Sequence, residues 1–387
     1  MNDVKNERSE NRLGEIAAAF LRLGFIAFGG AVAHIAIMEE EFVQRRKWLS
    51  REEFVDRVGA VNLLPGPSST EMTIYLGYVR GGFVGLAVAG ASFILPSALM
   101  MVTFAWIYLR YGSLPQIAGV LWGVKPVVVV LIAQAVWSLG KTVLKSRELM
   151  VIAAIVLGLA AKKVSTLPLL IGTGVSWIVA DRFGQKTGGS QAAIGAVSGA
   201  GTAVTVVTAA AATIGGVFFY FLKIGALLFG SGYVLLAVLR EDLVTRFHWV
   251  SESQLMDAVA VSQATPGPFF TVATFLGYVL SGWKGAALAT LGMFVPAFVY
   301  VAVTANFLPR LRKSPTASAF LDGVNAAAVA LMAFVGFQFA RQSVMSPLAA
   351  AIALAGAVLA FRYKVNSAWL ILGGAVVGLV AMIGGWA

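Results

Sequence analysis

The sequence contains no cysteine, which excludes disulfides, thiolate metal sites and cysteine nucleophiles. Its two histidines, His34 and His248, are too few for a histidine-rich metal centre. Charge is scarce: Asp, Glu, Lys and Arg make up 12% of the 387 residues, about half of what a soluble globular chain carries. Neither a Gly-rich phosphate loop nor a metal-ligand spacing is present. The first dozen residues lack the apolar core and small-residue cleavage site of a signal peptide, so they read as a polar tail on the cytoplasmic or periplasmic side. What is abundant is apolar. Hydrophobic residues make up 59% of the chain and the mean hydropathy is +0.84, which points to burial in a lipid bilayer.

The net charge of +11 fits two partners, nucleic acid or a membrane. The basic residues are scattered through short loops: Arg45-Arg46-Lys47, Lys141 to Arg147, Lys162-Lys163 and Arg310 to Lys313. That is the pattern of cytoplasmic loops in a membrane protein, so no nucleic-acid partner is expected.

The chain repeats itself. Phe20-Leu21-Arg22-Leu23-Gly24 returns as Phe221-Leu222-Lys223-Ile224-Gly225, and Pro65-Gly66-Pro67 with Thr70 returns as Pro266-Gly267-Pro268 with Thr271, at an offset of 201. Asp56 returns as Asp257. The offset then becomes 200: Leu76-Gly77-Tyr78-Val79 matches Leu276-Gly277-Tyr278-Val279, and Pro96 matches Pro296. The domains are therefore a first copy over 1–186, a second over 214–387, and a Gly-, Ala- and Thr-rich joining segment over 187–213 that reads as a linker or an extra span.

Candidate spans are expected at 14–37, 53–79, 83–109, 116–139, 149–161 with its flanks and 165–180, and again near 214–238, 254–280, 283–308, 317–340, 347–361 and 366–386. The fold class is thus an all-α integral membrane protein with two repeats of about five or six helices each. Pro-Gly-Pro in the middle of 53–79 breaks the helix. Backbone broken at membrane depth survives where protein or a water-filled cavity satisfies it. Two half-helices in a re-entrant hairpin are preferred, with a kinked full span as the alternative. Either count leaves the copies inverted, and the loops carrying Arg45, Arg46, Lys47, Arg80, Lys141, Lys145, Arg147, Arg182, Lys186, Arg310, Arg312, Lys313, Arg362 and Lys364 then share the cytoplasmic side. The run from Glu39 to Lys47 reads as an exposed amphipathic loop ending at an interfacial anchor, Trp48, and both histidines as lying near the interface.

The breaks carry the candidate site. Pro67 is expected at the first helical position, followed by Ser68, Ser69 and Thr70. Free amides and the positive end of the dipole make such a helix start an anion site, and the three hydroxyls add donors for a tetrahedral oxyanion. The second copy keeps only Thr271, after Pro268-Phe269-Phe270. Pro65, Gly66, Pro266 and Gly267 complete the two breaks, while Gly29, Gly30 and Gly230 allow close backbone approach. Glu71, next to the hydroxyls, is the candidate proton carrier. Lys125, inside an apolar run, is a candidate counter-charge for the anion, with Asn325 as its counterpart. Asp56 and Asp257 read as paired or capping residues. No catalytic residue, metal ligand or cofactor is expected, since nothing resembles a Ser-His dyad.

Phe28-Gly29-Gly30-Ala31, Trp48-Leu49-Ser50, Pro65 through Glu71, Leu76-Gly77-Tyr78 and Pro96, together with Phe229-Gly230-Ser231-Gly232, Trp249 and Thr265-Pro266-Gly267-Pro268, resemble the chromate ion transporter family in its long, two-domain form. The resemblance implies a multi-pass protein of the bacterial inner membrane that exports chromate, driven by the proton gradient or the membrane potential. Sulfate has the same charge and shape, so a sulfate or other oxyanion carrier, or a passive anion channel, stays open, as does a homodimer.

Overall fold

The computed structural model describes residues 2–187, 212–229, 232, 234–305 and 314–385, and among these it is helical with no strand. In chain order the helices are α1 (Asn2–Ile26), α2 (Gly30–Met38), α3 (Arg51–Val61), α4 (Ser68–Tyr111), α5 (Pro115–Val143), α6 (Arg147–Ala161), α7 (Thr166–Thr187), α8 (Ile214–Leu227), α9 (Val234–Leu239), α10 (Glu252–Ala264), α11 (Val272–Thr304), α12 (Pro315–Ser343), α13 (Pro347–Phe361) and α14 (Ser367–Ile383). Helices α4, α5 and α12, and α11 with the 3₁₀ turn Phe269–Thr271 before it, are long and apolar enough to cross a membrane.

The segment expected to span over 14–37 is two helices, not one. Gly29 at φ 101° and Gly30 at φ 78° are consecutive left-handed residues, and they end α1 before α2 begins. α1 also runs back through the residues read as a tail, where Lys, Glu and Arg are good helix formers. The run after Met38 is a wide π-helical turn over Glu39–Arg45, not a loop. Glu40 pairs with Arg45 at 3.3 Å and Glu41 with Arg46 at 2.8 Å, which supports helical geometry. The second copy widens in the same way over Arg240–Arg246.

The Pro-Gly-Pro breaks and a second glycine device cut the central segments short. In α4, Gly81 and Gly82 leave helical geometry (φ/ψ −138°/18° and 62°/−151°), and in α11 Ser281 and Gly282 do the same (−149°/28° and 62°/−154°). Gly82 and Gly282 need the left-handed freedom of glycine. Residues 68–80 therefore extend about 20 Å, short of the ~30 Å of a hydrocarbon core. α3 is shorter still, and a capping box at Ser50 and Glu53 starts it.

The chain forms two compact units, each drawing on both copies: residues 1–110, 212–227 and 261–313 make the first, and 111–211, 228–260 and 314–387 the second. In the first, Phe20, Phe42, Phe54, Phe93, Phe221 and Phe275 are fully buried. Glu15 of α1 gathers the Arg80 guanidinium (2.8 Å), Arg46 (3.2 Å) and the Trp48 indole (3.2 Å), so two of the basic loops meet at one place. In the second unit, Gly119 and Gly123 of α5 face Gly374 and Gly378 of α14. This small-xxx-small pairing lets the backbones touch. Gly323 of α12 meets Gly174 and the Thr173 carbonyl of α7 in the same way. Position 123 matches 323 and 374 matches 173, so the copies make these contacts reciprocally.

Candidate functional site

Both breaks belong to the first unit. At the first, the Pro67 carbonyl accepts from the Thr70 amide (2.7 Å) and the Glu71 amide (3.0 Å). Pro67 thus caps the helix and Ser68 is its first residue, one position later than expected, because Pro67 supplies the first intrahelical acceptor. The Ser68 and Ser69 amides lie before the hydrogen-bonded ladder begins. Ser69 is 5% exposed, and Thr70 and Glu71 are fully buried. The Thr70 hydroxyl and both Glu71 carboxylate oxygens have no protein hydrogen-bond partner. Gly66, at φ 128°, leaves the space that Glu71 uses: a Cβ there would lie 2.8 Å from Glu71 Oε1 and 3.7 Å from the Gly225 carbonyl oxygen. Beside Gly225, the Ala226 carbonyl accepts from the Tyr300 hydroxyl at 2.9 Å.

At the second break the matching threonine hydroxyl is occupied. The Gly267 amide donates to the Ala27 carbonyl at 2.8 Å. The Pro268 carbonyl accepts from the Thr271 amide (3.0 Å) and the Thr271 hydroxyl (2.8 Å). A carbonyl only accepts, so the Thr271 proton points at Pro268. Ser97 Oγ, 2.8 Å from Thr271 Oγ1, must then be the donor to it. Ser262 Oγ closes the turn on the Phe269 carbonyl at 3.0 Å.

The two breaks contact the opposite copy reciprocally. Gly66 faces the Gly225 carbonyl, and Gly267 faces the Gly24 carbonyl at 3.4 Å from an added Cβ. Position 66 matches 267 and 225 matches 24, so each copy makes the contact that the other makes in return. Pro65, Gly66, Pro67, Ser68, Ser69, Thr70, Glu71, Pro266, Gly267, Pro268 and Thr271 are thereby gathered with the end of α1 in one unit. Gly230 lies outside the described residues.

His34 also belongs to this region. It is 1% exposed rather than at an interface. Its Nε2 donates to the Ala27 carbonyl at 3.0 Å, the same oxygen that takes the Gly267 amide, and its ring lies edge-on to Phe93 at 5.6 Å. A lone ionisable residue in the apolar run of α2 was the available signal. Gly29 and Gly30 bend the chain so that α2 returns His34 to the end of α1.

Lys125 belongs to the second unit. Its ammonium lies 2.9 Å from Asp257 Oδ1 and 2.9 Å from the Ser253 hydroxyl, so its charge is countered by a carboxylate on α10. Asp257 is paired, as expected. Asn325 stands at the position in the second copy that matches Lys125, so the interaction is not duplicated.

The Chromate transporter family profile matches residues 14–179 and 215–379. The chain is 31% identical to a chromate transport protein of Cupriavidus metallidurans, over 95% of this chain and 93% of the relative. It is 32% identical to a chromate transport protein of Pseudomonas aeruginosa, over 96% and 91%. It is 31% identical to a probable chromate transport protein of Synechococcus elongatus, over 86% and 85%. No solved structure matches. The chain belongs to the chromate transporter family and is a multi-pass membrane protein.

Proposed function

We propose that this member of the chromate transporter family exports chromate across the bacterial inner membrane, with the first Pro-Gly-Pro break as its anion site and Glu71 as the carrier of a coupling proton. The observation that carries the reading is the unsatisfied polar cluster at the start of α4. The Thr70 hydroxyl and the Glu71 carboxylate are buried without partners, beside a helix start whose first amides are free. A buried polar group without a partner costs roughly 1–3 kcal/mol, a cost tolerated where a ligand or proton completes the bonding. A tetrahedral dianion accepts from the Ser68 and Ser69 amides and from the hydroxyls of Ser68, Ser69 and Thr70. The helix dipole adds to the attraction.

Glu71 repels that dianion when ionised and not when protonated. An isolated anion costs far more to bury than a neutral acid, so substrate and proton occupancy are coupled through one small volume. Gly29, Gly30, Gly66 and Gly267 let backbone approach the anion. Pro65, Pro67, Pro266 and Pro268 hold the breaks open, and Thr271 completes the wall. The copies over 1–186 and 214–387 act as inverted repeats with re-entrant hairpins, joined by 187–213. The reciprocal contacts of Gly66 and Gly267 and the short half-helices support that arrangement, a common plan for carriers.

The test is chromate uptake into inverted membrane vesicles, with sulfate as competitor, with and without an imposed proton gradient. Gradient-dependent uptake with counterflow is expected. Flux without counterflow would make the protein a passive anion channel, and equal handling of sulfate would widen the substrate to divalent oxyanions.

A further inference from the structure

We infer that the groove between α5 and α12 holds an acyl chain of an anionic phospholipid, whose phosphate is taken by Lys141 at the end of the groove. The site lies wholly in the second unit and uses no residue of either break.

The two helices pass each other antiparallel. Gly140 of α5 lies against Val329 of α12, and a Cβ on Gly336 of α12 would lie 2.9 Å from the Ile132 side chain of α5. Matched positions line both walls, among them Ala133 with Ala333, Trp137 with Phe337, and Gly140 with Ala340, all at the offset of 200. Small side chains let the backbones approach and leave a hollow of about 650 Å³, within the roughly 300–1,000 Å³ of ligand pockets. Trp137 is 59% exposed and Phe337 62%, so the groove opens outward. Both helices are long and apolar enough to cross a membrane, and an open apolar groove on them meets lipid. From Val129 to Lys141 the α5 wall rises about 18 Å, close to the ~15 Å of one leaflet, half of a hydrocarbon core. One acyl chain spans that length, which sets Lys141 at the level of the headgroups.

The end of the groove is positive. Lys141 lines it beside Leu144 and Met150, and its ammonium lies 4.5 Å from the centre of the Trp137 ring. That contact holds the charge at the mouth, and a tryptophan there suits the membrane interface. Lys145 and Arg147, both exposed, follow in the turn to α6. Residues 141–150 carry three cations and one acid, Glu148. Neither Lys141 nor Lys145 pairs with a carboxylate among the described residues. An anionic headgroup supplies the missing countercharge. A second copy of the chain, related by a two-fold axis along the membrane normal, would instead bring the same cations to the same end and repel.

The test is lipid retention by the full-length protein. Purified protein is exposed to equal amounts of phosphatidylglycerol and phosphatidylcholine, and the bound lipids are counted by native mass spectrometry. Circular dichroism confirms that each variant is folded. Phosphatidylglycerol is expected to be retained at least fivefold over phosphatidylcholine, since each nearby cation adds about fivefold. Lys141→Gln lowers that preference about fivefold, and Lys141→Arg keeps it. Ala133→Phe fills the hollow, leaves the cations in place and lowers retention of both lipids. No preference in the native protein, or an undiminished one in Lys141→Gln, overturns the headgroup contact. Unchanged retention in Ala133→Phe overturns the groove. Because the chain has no cysteine, Phe337→Cys reports on a second copy at this face. A disulfide-linked dimer formed in the membrane overturns the inference, and a monomer under the same oxidation supports it.

Discussion

The backbone amide of Gly267 donates to the carbonyl of Ala27 at 2.8 Å, tying the second break to the end of α1. Gly267 is held at φ 94°, and a Cβ there would lie 2.7 Å from the Ser97 Cβ, which has little freedom to retreat. Gly267→Ala is therefore expected to cost about 1–3 kcal/mol in backbone strain and to lower thermal stability in detergent. Gly66→Ala meets instead the far end of the Glu71 side chain, which can move. At φ 128° it carries the same kind of backbone strain, so it should lose stability too, and in addition proton dependence. Uptake measured across a pH series distinguishes the two.

His34 holds the same Ala27 oxygen from the other side. His34→Gln preserves a donor at similar reach and should retain transport. His34→Phe preserves the ring but leaves the carbonyl with one partner fewer, and should lower both stability and maximal rate. Equal activity in the two variants would show that the ring's volume, not its N–H, is what matters.

Replacing Ser68, Ser69 and Thr70 together by Ala removes three hydroxyls but leaves the amides and the dipole. The KM for chromate should rise at least tenfold, since each net hydrogen bond is worth about 1 kcal/mol. Native affinity in that variant would remove the hydroxyls from the site.

Glu71→Gln keeps the shape of the side chain and cannot exchange a proton. Chromate binding should persist while uptake loses its dependence on the proton gradient. An unaltered gradient dependence assigns the coupling proton elsewhere.

Lys125→Met leaves Asp257, a residue 3% exposed, without its cation, and breaking such a pair costs about 3 kcal/mol. Lys125→Met/Asp257→Leu should recover much of that loss. A native KM for chromate in the double variant marks Lys125 as a structural residue that holds α10. A KM raised equally in the single and double variants restores it as a counter-charge for the anion.

Much of this architecture was legible because its causes are local. Hydropathy marked the apolar helices, though not which of them are long enough to span, proline the Pro-Gly-Pro breaks, and the matched spacing of Gly, Pro and Trp the duplication. The sharp bends at Gly82 and Gly282 lay inside matched glycines whose role only the backbone geometry displays. His34 was misplaced because its environment depends on how Gly29 and Gly30 fold α2 back, and burial of one side chain leaves no trace in local composition.

By itself the sequence determined a helical, membrane-embedded chain, its two copies and the pair of Pro-Gly-Pro breaks with unequal residues after them. Only the tertiary structure decided the pairing. Ser97 meets Thr271 across a separation of 174 residues, Lys125 finds Asp257, and the Thr70 hydroxyl finds no partner. Helix breaking follows from bonds within a few residues, whereas the occupancy of a hydroxyl depends on which distant side chain the packing brings within hydrogen-bonding reach. That difference leaves the Thr70 hydroxyl free and the Thr271 hydroxyl occupied.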